Sequence, residues 1–116
     1  MKIANKTVAS ETFELKLIVQ ISFKADFQLC YHNEMYDEKK VVLRGNHYSR
    51  IFFIKESHFN FFCMLLIQNQ NLLSNEFAEI SLYQNGILIK KRSYHISTYL
   101  SYDGWFIFEE KINRAK

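Results

Sequence analysis

From Phe13 to Tyr31 every odd-numbered position is apolar (Phe13, Leu15, Leu17, Val19, Ile21, Phe23, Ala25, Phe27, Leu29, Tyr31), and the even positions are mostly Glu, Lys, Gln, Ser and Asp. Side chains on an extended chain point alternately to opposite faces, so a period of two held over this length specifies one buried and one wet face. The run commits the chain to strands before any other segment is considered. It is also too long to lie straight: ordinary strands cluster near about five or six residues, and at about 3.3 Å per residue this one would span on the order of 60 Å. A two-residue hairpin inside the run would move the apolar set onto even numbers, and no such shift occurs. With no Gly or Pro between Phe13 and Tyr31, the expectation is a strand that curves or bulges near Ser22 to Asp26 and passes from one sheet to the other. An odd-length loop at the same place is the alternative.

The chain has only three glycines, and each stands where a tight turn needs one: Gly45-Asn46, Asn85-Gly86 and Asp103-Gly104. Gly, Asn and Asp tolerate the positive φ of two-residue hairpin turns, and all three pairs lie between apolar, β-rich segments. They predict three hairpins. Around Asn85-Gly86 the register sets Tyr83 opposite Leu88, Leu82 opposite Ile89 and Glu79 opposite Arg92; around Gly45-Asn46 it sets Leu43 opposite Tyr48; around Asp103-Gly104 it sets Tyr102 opposite Trp105. The strand map is then 13–32, 39–44, 47–55, 58–68, 77–84, 87–96, 98–102 and 105–112, with a turn through Asn33 to Asp37 and a longer connection over 69–76. So many short strands joined at close spacing argue for an all-β antiparallel fold, and the bent first strand favours a two-sheet sandwich over a small barrel. In architecture this layout, with a hairpin of the form Leu82-Tyr83-Gln84-Asn85-Gly86-Ile87-Leu88-Ile89, resembles small β-sandwiches of the transthyretin or immunoglobulin type.

At 116 residues the chain is long enough to bury a core without disulfide or metal staples, and residues 1–116 read as a single domain. Aromatic residues make up 16% of it, which suits half-buried pleated surfaces. Fifteen Lys and Arg stand against 12 Asp and Glu, for a net charge of +3, so the global field argues for no polyanionic partner. Cys30 falls among the polar positions of its strand and Cys63 among apolar neighbours; the opposite phases predict two free thiols rather than a disulfide. Unpaired cysteines, and no uninterrupted apolar stretch near the start of the sequence, favour a cytoplasmic address. No stretch approaches the roughly 20 apolar residues of a membrane-spanning helix.

Chemistry-bearing residues are sparse. His32, His47, His58 and His95 stand singly, without the close ligand pair that fixes half of a zinc tetrahedron. Cys30 and His32 share a strand face, but a nucleophile also needs an oriented base and an oxyanion site. Glu109 and Glu110, as neighbours on a strand, point to opposite faces and do not serve one substrate together. Three glycines leave little material for a phosphate-binding loop. No catalytic, cofactor or metal residues are assigned, and an enzyme is the least favoured class.

Excess apolar character is more telling. From Phe61 to Ile67 both faces of the predicted strand are apolar, and Ile51-Phe52-Phe53-Ile54 behaves the same way. Such strands need cover on the outer side as well, from the 69–76 connection, from a terminus or from another chain. If another chain supplies it, the expected interface is Phe52, Phe62, Met64 and Leu66, with Trp105 as a second contact. The reading that follows is a non-enzymatic protein–protein interaction module, an accessory or structural subunit or a homo-oligomer. The alternative is a single-stranded nucleic-acid-binding protein whose basic hairpin, Lys90, Lys91 and Arg92 with Tyr94 as a stacking platform, tracks a phosphate backbone.

Overall fold

A computed structural model of the chain describes residues 12–68, 76–95 and 105–113. These residues form β1 (Phe13–His32), β2 (Glu38–Ile54), β3 (His58–Gln68), β4 (Phe77–Gln84), β5 (Ile87–His95) and β6 (Phe106–Asn113). Every pairing is antiparallel. The fold is all-β, as the alternation predicts.

The long first strand is real, and it bends where predicted. Gln20 pairs with His47 and Ala25 with Gly45, so Ile21, Ser22, Phe23 and Lys24 stand against the single residue Asn46. On the other side of β1, β4 pairs with the first half (Leu15 to Ile21) and β3 with the second (Asp26 to Tyr31). β5 extends the first half beyond β4, and β6 extends the second beyond β3. The result is one continuous six-stranded sheet, not two separate layers. It curls until it nearly closes into a barrel.

The curl brings distant parts of the hairpin together. Phe52 near the end of β2 meets Tyr31 at the end of β1 edge to face, 5.6 Å between ring centres, and the series continues through Phe61 and Phe108 at 5.9 Å each. The odd residues of β1 fill this core together with Phe52, Ile54, Phe59, Phe61, Leu65, Ile80, Leu82 and Phe108. Each such side chain contributes about 1.5–3 kcal/mol by leaving water.

Two expectations are corrected. Gly45-Asn46 is not a hairpin turn: β2 runs through it unbroken, and Leu43 pairs with Phe27 while Tyr48 pairs with Val19. Gly45 has φ +156, a conformation that residues with a Cβ rarely adopt, and it serves as the point at which β2 bends with its partner. At Asn85-Gly86 the hairpin does form, with φ of +49 and +83 and Tyr83 opposite Leu88. Beyond it the register slips by one: Leu82 pairs with Lys90 and Glu79 with Ser93, because Ile89 is an extra residue on β5. The turn is tied to the start of β1, since Asn85 N donates to Glu14 O and Asn85 Oδ1 accepts from Glu14 N, both at 2.9 Å.

The turn predicted through Asn33 to Asp37 is present. Asn33 Oδ1 accepts the amides of Met35 and Asp37, which lets Tyr36 hold φ +62. The Asp103-Gly104 hairpin, the 98–102 strand and residues 69–75 of the long connection lie outside the described residues.

Because the Gly45 backbone angle is strained for any residue with a side chain, Gly45→Ala should lower unfolding stability by about 1–3 kcal/mol in a urea titration, although no atom stands within 4 Å of the added Cβ. A loss below about 0.5 kcal/mol, within the range of neutral surface changes, would contradict a bend pinned at this residue.

Candidate interaction surface

The bend in the hairpin decides which side chains of β2 face the core. The odd residues Val41 and Leu43 face inward opposite Leu29 and Phe27, whereas beyond Asn46 the even residues Tyr48, Phe52 and Ile54 oppose Val19, Leu15 and Phe13. Phe52 is therefore not an outer-face residue. It is fully buried, and its ring also lies 5.1 Å from the Arg50 guanidinium. Its outward neighbours are Ile51 and Phe53, exposed at 44% and 59%.

Phe62, Met64 and Leu66 do share the outer face of β3, half-buried. Phe62 packs on the His32 ring at 5.3 Å. Met64 pairs with Cys30 on one side and Ile107 on the other, Leu66 pairs with Gln28, and Gln28 pairs with Val42. Val42 is 66% exposed and Ile107 48%. The outer face thus holds an apolar cluster of Phe62, Met64, Leu66 and Ile107 over β3 and β6, with Val42 of β2 beyond Gln28 of β1. Glu38, Lys40 and Arg44 lie at its β2 margin and Glu109 and Lys111 at its β6 margin, and Arg44 is paired with Asp26 at 3.0 Å. Val42 was missed in the sequence because its neighbours on the same strand face, Lys40 and Arg44, are charged, and Ile107 because the apolar run from Trp105 to Phe108 shows no phase. Only the register shows that they flank Leu66 and Met64.

Trp105 lies beyond Ile107 at the edge of this cluster. It helps to line an adjoining recess of about 390 Å³ with Lys90, Arg92, Tyr94, Phe106, Ile107 and Glu109. This recess lies on the seam where β5 meets β6. No backbone ladder joins the two strands among the described pairings; side chains cross instead. Tyr94 Oη donates to Ile107 O at 2.8 Å, Lys90 Nζ to Glu109 O at 2.7 Å, and Gln84 Nε2 to Asn113 O at 2.9 Å.

That seam disperses the basic hairpin. Lys90 is drawn to β6, 3.3 Å from Glu110 Oε1 and over the Phe108 ring. Lys91 projects to the opposite side of β5 and pairs with Glu79 at 3.7 Å. Arg92 lies over the Tyr94 ring. Tyr94 is only 6% exposed, so its ring offers no platform on which a base can stack.

Cys30 and Cys63 are both free thiols, and both are buried. Burial pushes the Cys63 thiol far above its ordinary range, which keeps it from supplying a thiolate. Among the described residues no three His, Cys, Asp or Glu side chains gather closely enough to hold a metal ion. None of them forms a helix long and apolar enough to cross a membrane. With this geometry in hand, comparison with known proteins adds no relative: no protein family matches the chain, and no curated protein does.

Two outcomes separate the core from the outer face. Phe52→Ala should cost about 3–5 kcal/mol, the range for deleting a buried aromatic ring, and Phe62→Ala clearly less. Equal losses in chemical denaturation would contradict the assignment of the two faces. Tyr48 is the second case. Its phenol is pushed up to about 12, first by burial and then by its hydrogen bond to Tyr31. The folded state therefore holds this proton where the unfolded state, with an ordinary phenol near pH 10, has released it. The resulting stability is complete below about pH 10 and is lost as the pH rises toward 12. In a tyrosinate absorbance titration, Tyr48→Phe should remove a phenol that ionises at about pH 12 in the folded protein.

Proposed function

We propose that the protein is a non-enzymatic interaction module that associates through the outer face of β3 and its neighbours, and that the occupant of this face is a second copy of the chain. The apolar cluster of Phe62, Met64 and Leu66 on β3 with Ile107 on β6, and Val42 beyond Gln28 on β2, is the observation that carries the reading. A sheet face of this kind gains by excluding water against another surface.

Charge layout favours a second copy. Each margin of the face carries both signs, Glu38 and Lys40 on β2 and Glu109 and Lys111 on β6. A two-fold axis lying in the plane of the contact, parallel to the strands and between β1 and β3, brings the β2 margin of one copy over the β6 margin of the other, so that Lys40 meets Glu109 and Glu38 meets Lys111, as an isologous contact requires. The half-buried Phe62 and Met64 lie close to that axis, where anchoring side chains contribute most.

The test is the oligomeric state by sedimentation equilibrium. The native chain should dimerise, and Phe62→Ser with Leu66→Ser should leave a monomer whose far-ultraviolet β signal is unchanged. Lys40→Glu alone should weaken the dimer, and pairing it with Glu109→Lys should restore it. A native chain that is monomeric at every concentration, or a dimer that survives the double serine change, would sink the proposal.

A further inference from the structure

On the inner side of β2, Arg50 occupies a position that its surroundings do not explain. It stands opposite Leu17 on the core side of the hairpin, and its guanidinium lies 5.5 Å from the centre of the Tyr31 ring and 5.1 Å from that of Phe52. Both rings are buried, at 3% and 0% exposure. Tyr48 lies on the same side of β2, close enough for Tyr31 and Arg50 both to act on its phenol. Arg50 Nε is sealed from solvent and has no hydrogen-bond partner.

Among the described residues no carboxylate forms an ion pair with this cation. The ion pairs among the described residues join Arg44 to Asp26, Lys90 to Glu110 and Lys91 to Glu79. The carboxylate of Glu34, in the turn after β1, is spent on the amide of Phe53 at 3.4 Å. Aromatic faces attract a guanidinium, but they do not replace a counter-charge for a cation withdrawn from water. A Leu or Met would cover the same two rings with nothing to desolvate. What arginine adds here is a planar set of donors, fixed by stacking, beside the Tyr48 phenol, on a stretch of β2 whose inward side chains, Val41, Leu43 and Tyr48, are only partly buried. Such an array matches a carboxylate or phosphate group.

We propose that Arg50, with the hydroxyl of the partly buried Tyr48, forms a binding niche for the oxyanion group of a small molecule at the β2 side of the barrel. The oxyanion meets the Nη atoms end-on, and Tyr48 donates to one of its oxygens. Ring stacking holds the guanidinium in place before the ligand arrives, so little side-chain freedom is lost on binding. This site is independent of the outer face proposed for association, because Arg50 and the β3 band lie on opposite sides of the sheet.

The Nε–H groups of the four arginines, Arg44, Arg50, Arg92 and Arg114, report on the niche in a proton–nitrogen correlation spectrum of the labelled full chain. The probes are sodium phosphate and sodium acetate, each against sodium chloride at matched ionic strength. The Arg50 signal should shift and saturate with an oxyanion while the other three follow only ionic strength. Saturation by phosphate alone assigns the niche to phosphate esters, and by acetate alone to carboxylates. Tyr48→Phe should weaken the binding by about tenfold, as expected for one hydrogen bond to a charged group. Arg50→Gln should abolish the rise in melting temperature that the same anion gives the native chain. If Arg50→Gln does not fold, the native titration and Tyr48→Phe decide alone. Four signals moving together, or none moving, would overturn the proposal. So would an Arg50 signal that follows pH through the carboxylate range and stops doing so in Glu34→Gln, because Glu34 would then be the counter-ion.

Discussion

The hairpin of β1 and β2 must bend as one body, and nearly everything else in the fold depends on that bend. Four residues of β1 stand against one of β2 between the Gln20–His47 and Ala25–Gly45 pairs, so the outer strand takes the longer path around the corner. The extra residues are used. Ser22 Oγ accepts the amide of Phe77 at 2.9 Å and donates to Glu76 at 2.8 Å, which docks the start of β4 at the corner. Gln20 spans the gap on the other side, donating to Asn46 O at 3.1 Å and meeting His47 Nδ1 at 3.1 Å. With the corner braced in this way, the two halves of the hairpin close on each other and Tyr31, Phe52, Phe61 and Phe108 form one aromatic series. A straight hairpin of the same sequence would leave those rings on two separate surfaces in water, each unable to bury the other.

Closure of the sheet raises the problem of strand edges, which is acute in a chain without proline. At the β5–β6 seam the solution is made of side chains. The extra residue at Ile89 turns Lys90, Arg92 and Tyr94 toward the seam and leaves Lys91 and Ser93 on the other side of β5 with Glu79. Lys90, Tyr94 and Gln84 then satisfy carbonyls of β6 that would otherwise invite a foreign strand. Of the basic run Lys90, Lys91 and Arg92, Lys90 closes this edge, Lys91 pairs with Glu79 and Arg92 lies over the Tyr94 ring.

How much of this was legible follows from what parity can and cannot distinguish. The bend in β1 was readable because ten odd positions from Phe13 to Tyr31 stay apolar through it. In β2 the apolar set changes from odd (Val41, Leu43) to even (Phe52, Ile54) at Gly45-Asn46. A two-residue hairpin and a strand bending opposite a bulge produce the same change of phase, and both accept glycine. The sequence pattern therefore marked the spot but could not say which of the two stood there, and Phe52 was carried to the wrong face. The slip at Ile89 left no trace at all, since Ile87, Leu88 and Ile89 are all apolar and any register buries one of them. For the candidate surface, Phe62, Met64 and Leu66 were legible as a second apolar phase on β3. Val42 and Ile107 required knowledge of which strands adjoin β3 and β1, a long-range property that no local period carries. Arg50 was invisible for a related reason, because the rings that hold it come from β1 and β2 only after the sheet has curled.

The edges also decide how this molecule would associate, since a sheet can recruit a partner along an edge or across a face. β6 has its outer edge engaged by side chains from β4 and β5. β2 is the remaining long edge, and its two halves are guarded differently. The first half carries Lys39, Lys40 and Arg44, all exposed, so antiparallel pairing of two copies about Val42 would set Lys40 against Arg44. The second half has the amide of Phe53 engaged by Glu34 from the turn, and Tyr36 of that turn stacks on Phe59 at 5.0 Å while its hydroxyl accepts the Asn60 amide. Charge repulsion on one half and a docked turn on the other both disfavour the addition of a strand. The outer face over β3 has neither defence. Its apolar residues are flanked at each margin by charges of both signs, Glu38 and Lys40 on β2 and Glu109 and Lys111 on β6, and a contact there buries Phe62 and Met64 without breaking any strand pairing of the fold. On these grounds association by face takes precedence over association by edge.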